Sequence, residues 1–308
     1  MTGQPSLFSR SGDVPLAERL RPKTLADYIG QKHILGPGMP LTVAIAQQKP
    51  FSMLLWGAPG CGKTTLALLL ADRFAARFIR LSAVFSGVKE VREAVLEAQQ
   101  ERSLGRKTIL FIDEIHRFNK AQQDAFLPYV EDGTLILIGA TTENPAFHLN
   151  NALLSRLRVF HLQPLSEDEL IEKLRRGVAV LNLNDTADSV LATIAYQSGG
   201  DARKAIGWLE EWALLRSQGA SDEDALAQAL ADQPKALDKQ GDWFYELLSA
   251  FHKSLRGSNP DGAMYWFARM VDGGADPLVI ARRMLCVASE DIGNADPNAL
   301  NLALNAYQ

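Results

Sequence analysis

Cysteine is nearly absent from this 308-residue chain, which holds only Cys61 and Cys286. Two thiols so far apart can build neither a disulfide framework nor a structural zinc site, so a disulfide-stapled secreted module is excluded. Long apolar runs are also missing. The best, Thr65 to Ala71 and Leu135 to Ala140, fall well short of the roughly 20 residues that span a bilayer. The first residues show no basic-then-apolar leader, and the chain reads as cytosolic. Nor is there a surplus of one charge: 32 Lys and Arg stand against 36 Asp and Glu, a net charge of -4. Any nucleic-acid binding must therefore come from local basic patches rather than a global positive field. What is present is ordinary globular composition, 47% hydrophobic and 22% charged, which excludes a disordered, collagen-like or coiled-coil chain and at this length predicts two or three domains.

Residues 1–13 are polar and rich in Ser and Gly, without periodicity, and read as a flexible arm. From Phe51 on, short apolar runs alternate with helical patterns: Ser52 to Trp56, Phe78 to Leu81, Thr108 to Ile112, Leu135 to Gly139 and Arg158 to Leu162. Strands separated by helices predict a parallel sheet covered on both faces, an α/β core over 14–164. After Pro164 only helical patterns remain. Ser166 and Glu169 have capping-box spacing, with Leu165 and Leu170 placed as a hydrophobic staple. A second helix is expected over Thr186 to Gln197, stopping at Gly199-Gly200, and a third capped by Asp201, carrying Ile206, Leu209 and Trp212. With an alanine-rich fourth helix these make a small helical unit over 165–233. Residues 234–308 read as further helices, broken at Gly257 to Pro260, Gly273-Gly274 and Asp296-Pro297.

The chemistry concentrates in two places. Gly57-Ala58-Pro59-Gly60-Cys61-Gly62-Lys63-Thr64 fits G-x-x-x-x-G-K-[ST] between a predicted strand and a predicted helix, the context that motif requires. Its backbone N–H groups and the helix N-terminus, through Thr65, suit phosphate oxygens; Lys63 reaches the outer phosphates and the Thr64 hydroxyl suits magnesium. About fifty residues on, Asp113-Glu114 ends a buried apolar strand. Asp113 is placed for magnesium and Glu114 for the attacking water, against the alternative of a solvated strand end. Gln122 stands where the guanine-reading motif needs an aspartate, so Asn119-Lys120 does not confer GTP specificity. His116 reads as a local hydrogen-bonding residue. The strand ending Thr141-Thr142-Glu143-Asn144 would put a polar side chain beside the phosphates. Arg156 is open to two readings, a surface solubiliser or a finger reaching a neighbouring subunit's nucleotide. Arg203 and Lys204 lie in the first turn of a helix, where the dipole disfavours cations; a phosphate partner for Arg203 offsets this, the alternative being a pair with Glu210 or Glu211.

These motifs, together with Gly199-Gly200-Asp201-Ala202-Arg203, resemble the AAA+ ATPases of the clamp-loader and Holliday-junction-motor branch. Further stretches narrow the resemblance: Pro15 to Pro22, Tyr28 to His33, Ser86 to Glu90, Asp113 to Lys120, Gly139 to Pro145 and Ala288 to Pro297. From about residue 14 to the end the chain is similar to the RarA (MgsA) family of bacterial replication-associated recombination proteins. The resemblance implies an AAA+ P-loop core with a five-stranded parallel sheet, a helical lid and an all-α C-terminal oligomerisation region, incomplete here because relatives continue further. It implies ATP and Mg2+ as ligands, with Ile29-Gly30 near adenine, Thr142 as sensor 1, Arg156 as the trans-acting finger and Arg203 as sensor 2. It also implies a homotetrameric DNA-dependent ATPase at stalled or gapped forks, nucleoid- or replisome-associated, with single-stranded DNA-binding protein as a partner.

A Holliday-junction motor or clamp-loader subunit is the nearest alternative, and a nucleotide-gated replisome scaffold with slow turnover a third. Lys253, Arg256, Arg269, Arg282 and Arg283 form either a basic DNA-facing surface or part of a mixed solvated one. Two local expectations complete the reading. Cys61, beside Lys63 at a helix start, is expected to be a reactive thiol. Gln4-Pro5-Ser6-Leu7-Phe8 resembles the peptide by which repair proteins dock on the sliding clamp.

Overall fold

A computed structural model describes residues 14–183, 185–231 and 242–308; the Gln4 to Phe8 peptide and the expected linker near 233–241 lie outside them. The chain divides into two compact units, Met1–Ala231 and Asp232–Gln308.

In the first unit β1 (Met53–Gly57), β2 (Arg77–Ser82), β3 (Thr108–Asp113), β4 (Ile136–Thr141) and β5 (Arg158–Leu162) form one sheet in the order β2-β3-β4-β1-β5. All four pairings are parallel, and each strand lies within two residues of the run that the sequence marks. The inner strands are the continuous apolar ones because helices cover both their faces, and Leu54, Leu55, Ile109 to Ile112, Leu137 and Ile138 are fully buried. The edge strands instead turn Arg77, Arg80, Arg158 and His161 outward, which blunts the unpaired ladder. The helix Lys63–Arg73 packs one face, through Leu66, Ala67, Leu70 and Ala71. On the other face Val91, Ala94, Val95 and Ala98 of the helix Val88–Ser103 meet Leu110 and Ile112.

The chain leaves β1 for strands on one side and returns from β4 past β1 to β5. Such a reversal opens a crevice at the carboxyl ends of the strands, where open α/β sheets bind ligands. Over that edge sit the helices Glu167–Leu181, Asp188–Ser198, Ala202–Ser217 and Asp222–Ala231. Ser166 caps the first of them with a reciprocal box to Glu169, and Leu165 and Leu170 are both buried as the staple requires. Leu16 of the short helix Leu16–Arg19 is fully buried among these helices, and its N–H donates to Glu210 Oε1 at 3.0 Å.

The second unit contains the helices Asp242–Arg256, Pro260–Asp272, Pro277–Cys286 and Pro297–Tyr307. Three begin the same way: Asn259, Asp276 and Asp296 accept a first-turn N–H, and proline takes the first helical position, where its missing N–H costs nothing. Phe244, Leu247, Leu248 and Phe251 meet Met270 and Ile280 in its core. A π-helical turn, Val287–Ile292, follows the third helix, and Asp291 pairs with His252 at 2.9 Å.

Candidate nucleotide site

A cavity of about 650 Å³ opens at the carboxyl edge of the sheet. It is lined from the core by Pro59, Gly60, Gly62, Lys63, Thr64, Thr65, Asp113, Glu114 and Thr142, and from the lid by Lys173, Ala202 and Arg203.

The loop after β1 owes its path to two glycines. Gly60 (φ +71°) and Gly62 (φ +101°) lie in the left-handed region; a Cβ on Gly62 would come within 2.5 Å of Tyr28 Oη, and one on Gly60 would strike the Asp201 carboxylate. Lys63 is buried, with Nζ donating to the Gly57 and Ala58 carbonyls at 2.6 and 2.9 Å. Tyr28 Oη donates toward the Cys61 and Gly62 carbonyls. Gln31 ties the loop to the end of β5, donating to Cys61 O and, at 2.6 Å, to Gln163 O while accepting the Gln163 N–H.

Cys61 departs from expectation. Its side chain is 2% exposed, and burial pushes the thiol upward despite the opposing pull of Lys63. The helix-start context that lowers a thiol pKa is outweighed by desolvation, so burial disfavours the thiolate that the sequence context leads one to expect.

Asp113 ends β3, and Arg80 of β2 reaches its Oδ2 at 3.2 Å. Glu114 follows with left-handed backbone (φ 53°, ψ 47°), and its Oε2 accepts the Thr142 hydroxyl at 3.3 Å. Thr141 is fully buried and turned away from the cavity, so strand alternation makes Thr142 the threonine that faces it. Arg156 does not line the cavity; its guanidinium pairs with Glu131 and donates to the Ala152 carbonyl. Ile29 lines a narrower pocket with Tyr28, Leu165 and Thr65, adjoining the main cavity through Gly60, Gly62 and Lys173. Gly30 beside it packs against Leu165.

The dipole conflict at Arg203 is resolved locally. Asp201 Oδ1 accepts the N–H groups of Arg203 and Lys204 at 2.9 and 3.1 Å, placing an anion at the helix start. Lys204 Nζ lies over the Trp208 ring at 4.6 Å, while Arg203 faces the cavity. Glu210 is taken up by Leu16.

The segment 53–165 matches the ATPase family associated with various cellular activities (AAA), 182–256 the AAA C-terminal domain and 257–308 the MgsA AAA+ ATPase C terminal. The chain is 49% identical to Replication-associated recombination protein A of Haemophilus influenzae, covering 97% of this chain and 70% of that protein. It belongs to that family of AAA ATPases. The protein of the same name from Escherichia coli K12 is equally similar, 49% over 97% of this chain and 70% of its own length. Among solved structures, the RuvB Holliday junction branch migration motor of Thermotoga maritima aligns with a TM-score of 0.57 at 25% identity, covering 77% of this chain and 80% of that one. The matched AAA segment contains the whole glycine loop, Asp113, Glu114, Thr142 and Arg156; the chain is an ATP hydrolase.

Lys173 gave no sequence signal, being one lysine in an amphipathic helix. It lines both pockets, and burial, reinforced by Arg176, lowers its pKa. No carboxylate pairs with it among the described residues, so an anionic ligand would supply the missing countercharge. Lys173→Met is expected to weaken ATP and ADP binding alike, by about tenfold, the scale of one charge-assisted hydrogen bond. A bound anion favours the charged amine, so wild-type affinity should fall as pH rises through the lowered lysine pKa. Fluorescent-ADP titrations at several pH values check both effects, since the variant should lose the slope.

Proposed function

We propose that this ATPase hydrolyses ATP between subunits and couples turnover to DNA at stalled or gapped replication forks, in replication-associated recombination and repair. The observation that carries the reading is the convergence of Lys63, Thr64, Asp113, Glu114, Thr142 and Arg203 on one cavity. Lys63 and the loop amides hold the phosphate chain. Glu114 takes a proton from water as its oxygen attacks the γ-phosphorus, and the bond to the bridging oxygen breaks with its electron pair leaving on ADP. Thr142 meets the γ-phosphate and Arg203 draws the lid onto it. The Thr64 hydroxyl and Asp113 carboxylate are the hard oxygen donors that Mg2+ prefers, and both line the cavity. When bound, Mg2+ neutralises phosphate charge.

Arg156 acts on the nucleotide of a neighbouring copy. Its absence from its own chain's cavity supports this, and exposed Tyr245, Met264 and Leu302 in the C-terminal unit offer apolar surface for assembly, into a tetramer on the family's resemblance. The similarity to replication-associated recombination proteins supports DNA as the partner. Single-stranded DNA-binding protein, and a sliding clamp docking Gln4 to Phe8, are the further partners proposed, in the cytoplasm at the nucleoid. The RuvB likeness favours one second reading, a branch-migration motor.

Steady-state phosphate release with and without gapped or single-stranded DNA tests the coupling. Stimulation that fades steeply with salt, as counterion release requires, is expected. Turnover indifferent to every DNA form at low salt would remove DNA from the reading.

A further inference from the structure

Behind Glu114 runs a polar chain, buried at its middle and exposed at His148, that the sequence did not reveal. His116, in the single turn Ile115–Arg117, has its side chain 8% exposed. Its Nδ1 lies 2.9 Å from Thr141 Oγ1 and 3.3 Å from Glu114 Oε2. On the other side Nε2 lies 3.4 Å from Glu143 Oε1, and the second oxygen of Glu143 meets His148 Nε2 at 3.0 Å. The ring is thus held at both ends.

Carboxylate oxygens face both ring nitrogens. Thr141 Oγ1 has one proton, which is donated to the Glu143 carbonyl at 3.2 Å, and it accepts the Glu143 N–H at 3.0 Å. It is left as an acceptor toward His116. A bare Nδ1 would also point a lone pair at the Glu114 carboxylate. Thr141 and Glu114 thus favour hydrogen on Nδ1, as Glu143 Oε1 at 3.4 Å favours it on Nε2. That same oxygen, Oε2, accepts from Thr142. The Glu114 backbone is in the left-handed region, unusual for a non-glycine residue and sustained only where surrounding contacts fix it.

We propose that His116 is a positioning residue for hydrolysis: its Nδ1–H, with the Thr142 hydroxyl, pins Glu114 Oε2 and leaves Oε1 to take the proton from the attacking water. The inference rests on Glu114 being the base. Amide substitutions separate the two ends of the ring. His116→Asn keeps a donor near the Nδ1 position and gives up Glu143; His116→Gln keeps the Glu143 end and gives up the donor to Glu114; His116→Leu gives up both.

The expected result is kcat within about threefold of wild type for His116→Asn, and about 10- to 100-fold lower for His116→Gln and His116→Leu, a loss typical of a misplaced reacting group. ATP affinity should stay within about twofold throughout. Asn as slow as Leu, Gln as fast as wild type, or losses that track melting temperature instead of donor position would overturn the proposal. A measurement on the unaltered protein stands beside these: 15N chemical shifts of His116 should show a protonated Nδ1, and hydrogen on Nε2 alone would also overturn it. Glu114→Gln run in parallel separates the two levels, because a fully active Glu114→Gln removes the base itself, whereas an inactive one with normal His116 variants removes only this inference.

Discussion

Glu114→Gln chains should bind ATP as tightly as wild type and hydrolyse it about 10²- to 10³-fold more slowly, the usual worth of a positioned general base. The amide matches the carboxylate in shape and can still accept the Thr142 hydroxyl that reaches Oε2 at 3.3 Å. It cannot take a proton. Because Asp113 and Lys63 are untouched, binding and magnesium coordination should persist, so the loss falls on kcat and spares affinity. Rapid-quench hydrolysis beside equilibrium binding of fluorescent ATP reads the two separately. The same variant divides a motor from a nucleotide-gated scaffold: in cells, a chain that binds without hydrolysing loses the activity of the former and keeps that of the latter.

Arg156→Ala is expected to cost about 10³-fold in kcat, the lower end of what an arginine finger contributes to phosphoryl transfer. Nucleotide affinity in the isolated chain should not change, since Arg156 does not line that chain's cavity. Its bond to Glu131 is a surface pair, of which the median worth is about 0–1 kcal/mol. Melting should therefore move little, and a large fall in turnover with an unmoved melting temperature would mark a role across the subunit boundary. A surface solubiliser would instead leave turnover within about twofold, in keeping with the small effects of exposed substitutions.

How much of this the sequence announces depends on how local each device is. The glycine loop, Asp113-Glu114 and the Ser166–Glu169 box are contiguous or three residues apart, and their chemistry can be read from spacing. The central strands are as legible, because burial on both faces leaves an unbroken apolar run in the chain. Devices that join distant residues leave no such mark. Arg80 meets Asp113 because β2 and β3 pair in a register that sets Ser82 opposite Asp113. Gln31 reaches Gln163 across 132 positions, and the Leu16 N–H meets Glu210 across 194. His116 and Glu143 meet because β3 and β4 are neighbours. Cys61 shows the opposite failure. Its local sequence context points to a reactive thiol, and packing against the sheet, invisible in that context, reverses the sign.

The proposed sharing of one catalytic site between two chains is tested most directly by mixing two variants, each expected to be inactive alone. Glu114→Gln lacks a base and keeps its finger; Arg156→Ala lacks a finger and keeps its base. Where the finger of the first faces the cavity of the second, one complete site forms. Phosphate release from an equimolar mixture should then rise well above that of either variant alone, toward about a quarter of the wild-type rate if chains mix at random and each interface works independently. Activity in the mixture equal to the mean of its two components, with mass measurements showing that the chains have co-assembled, would contradict hydrolysis between subunits.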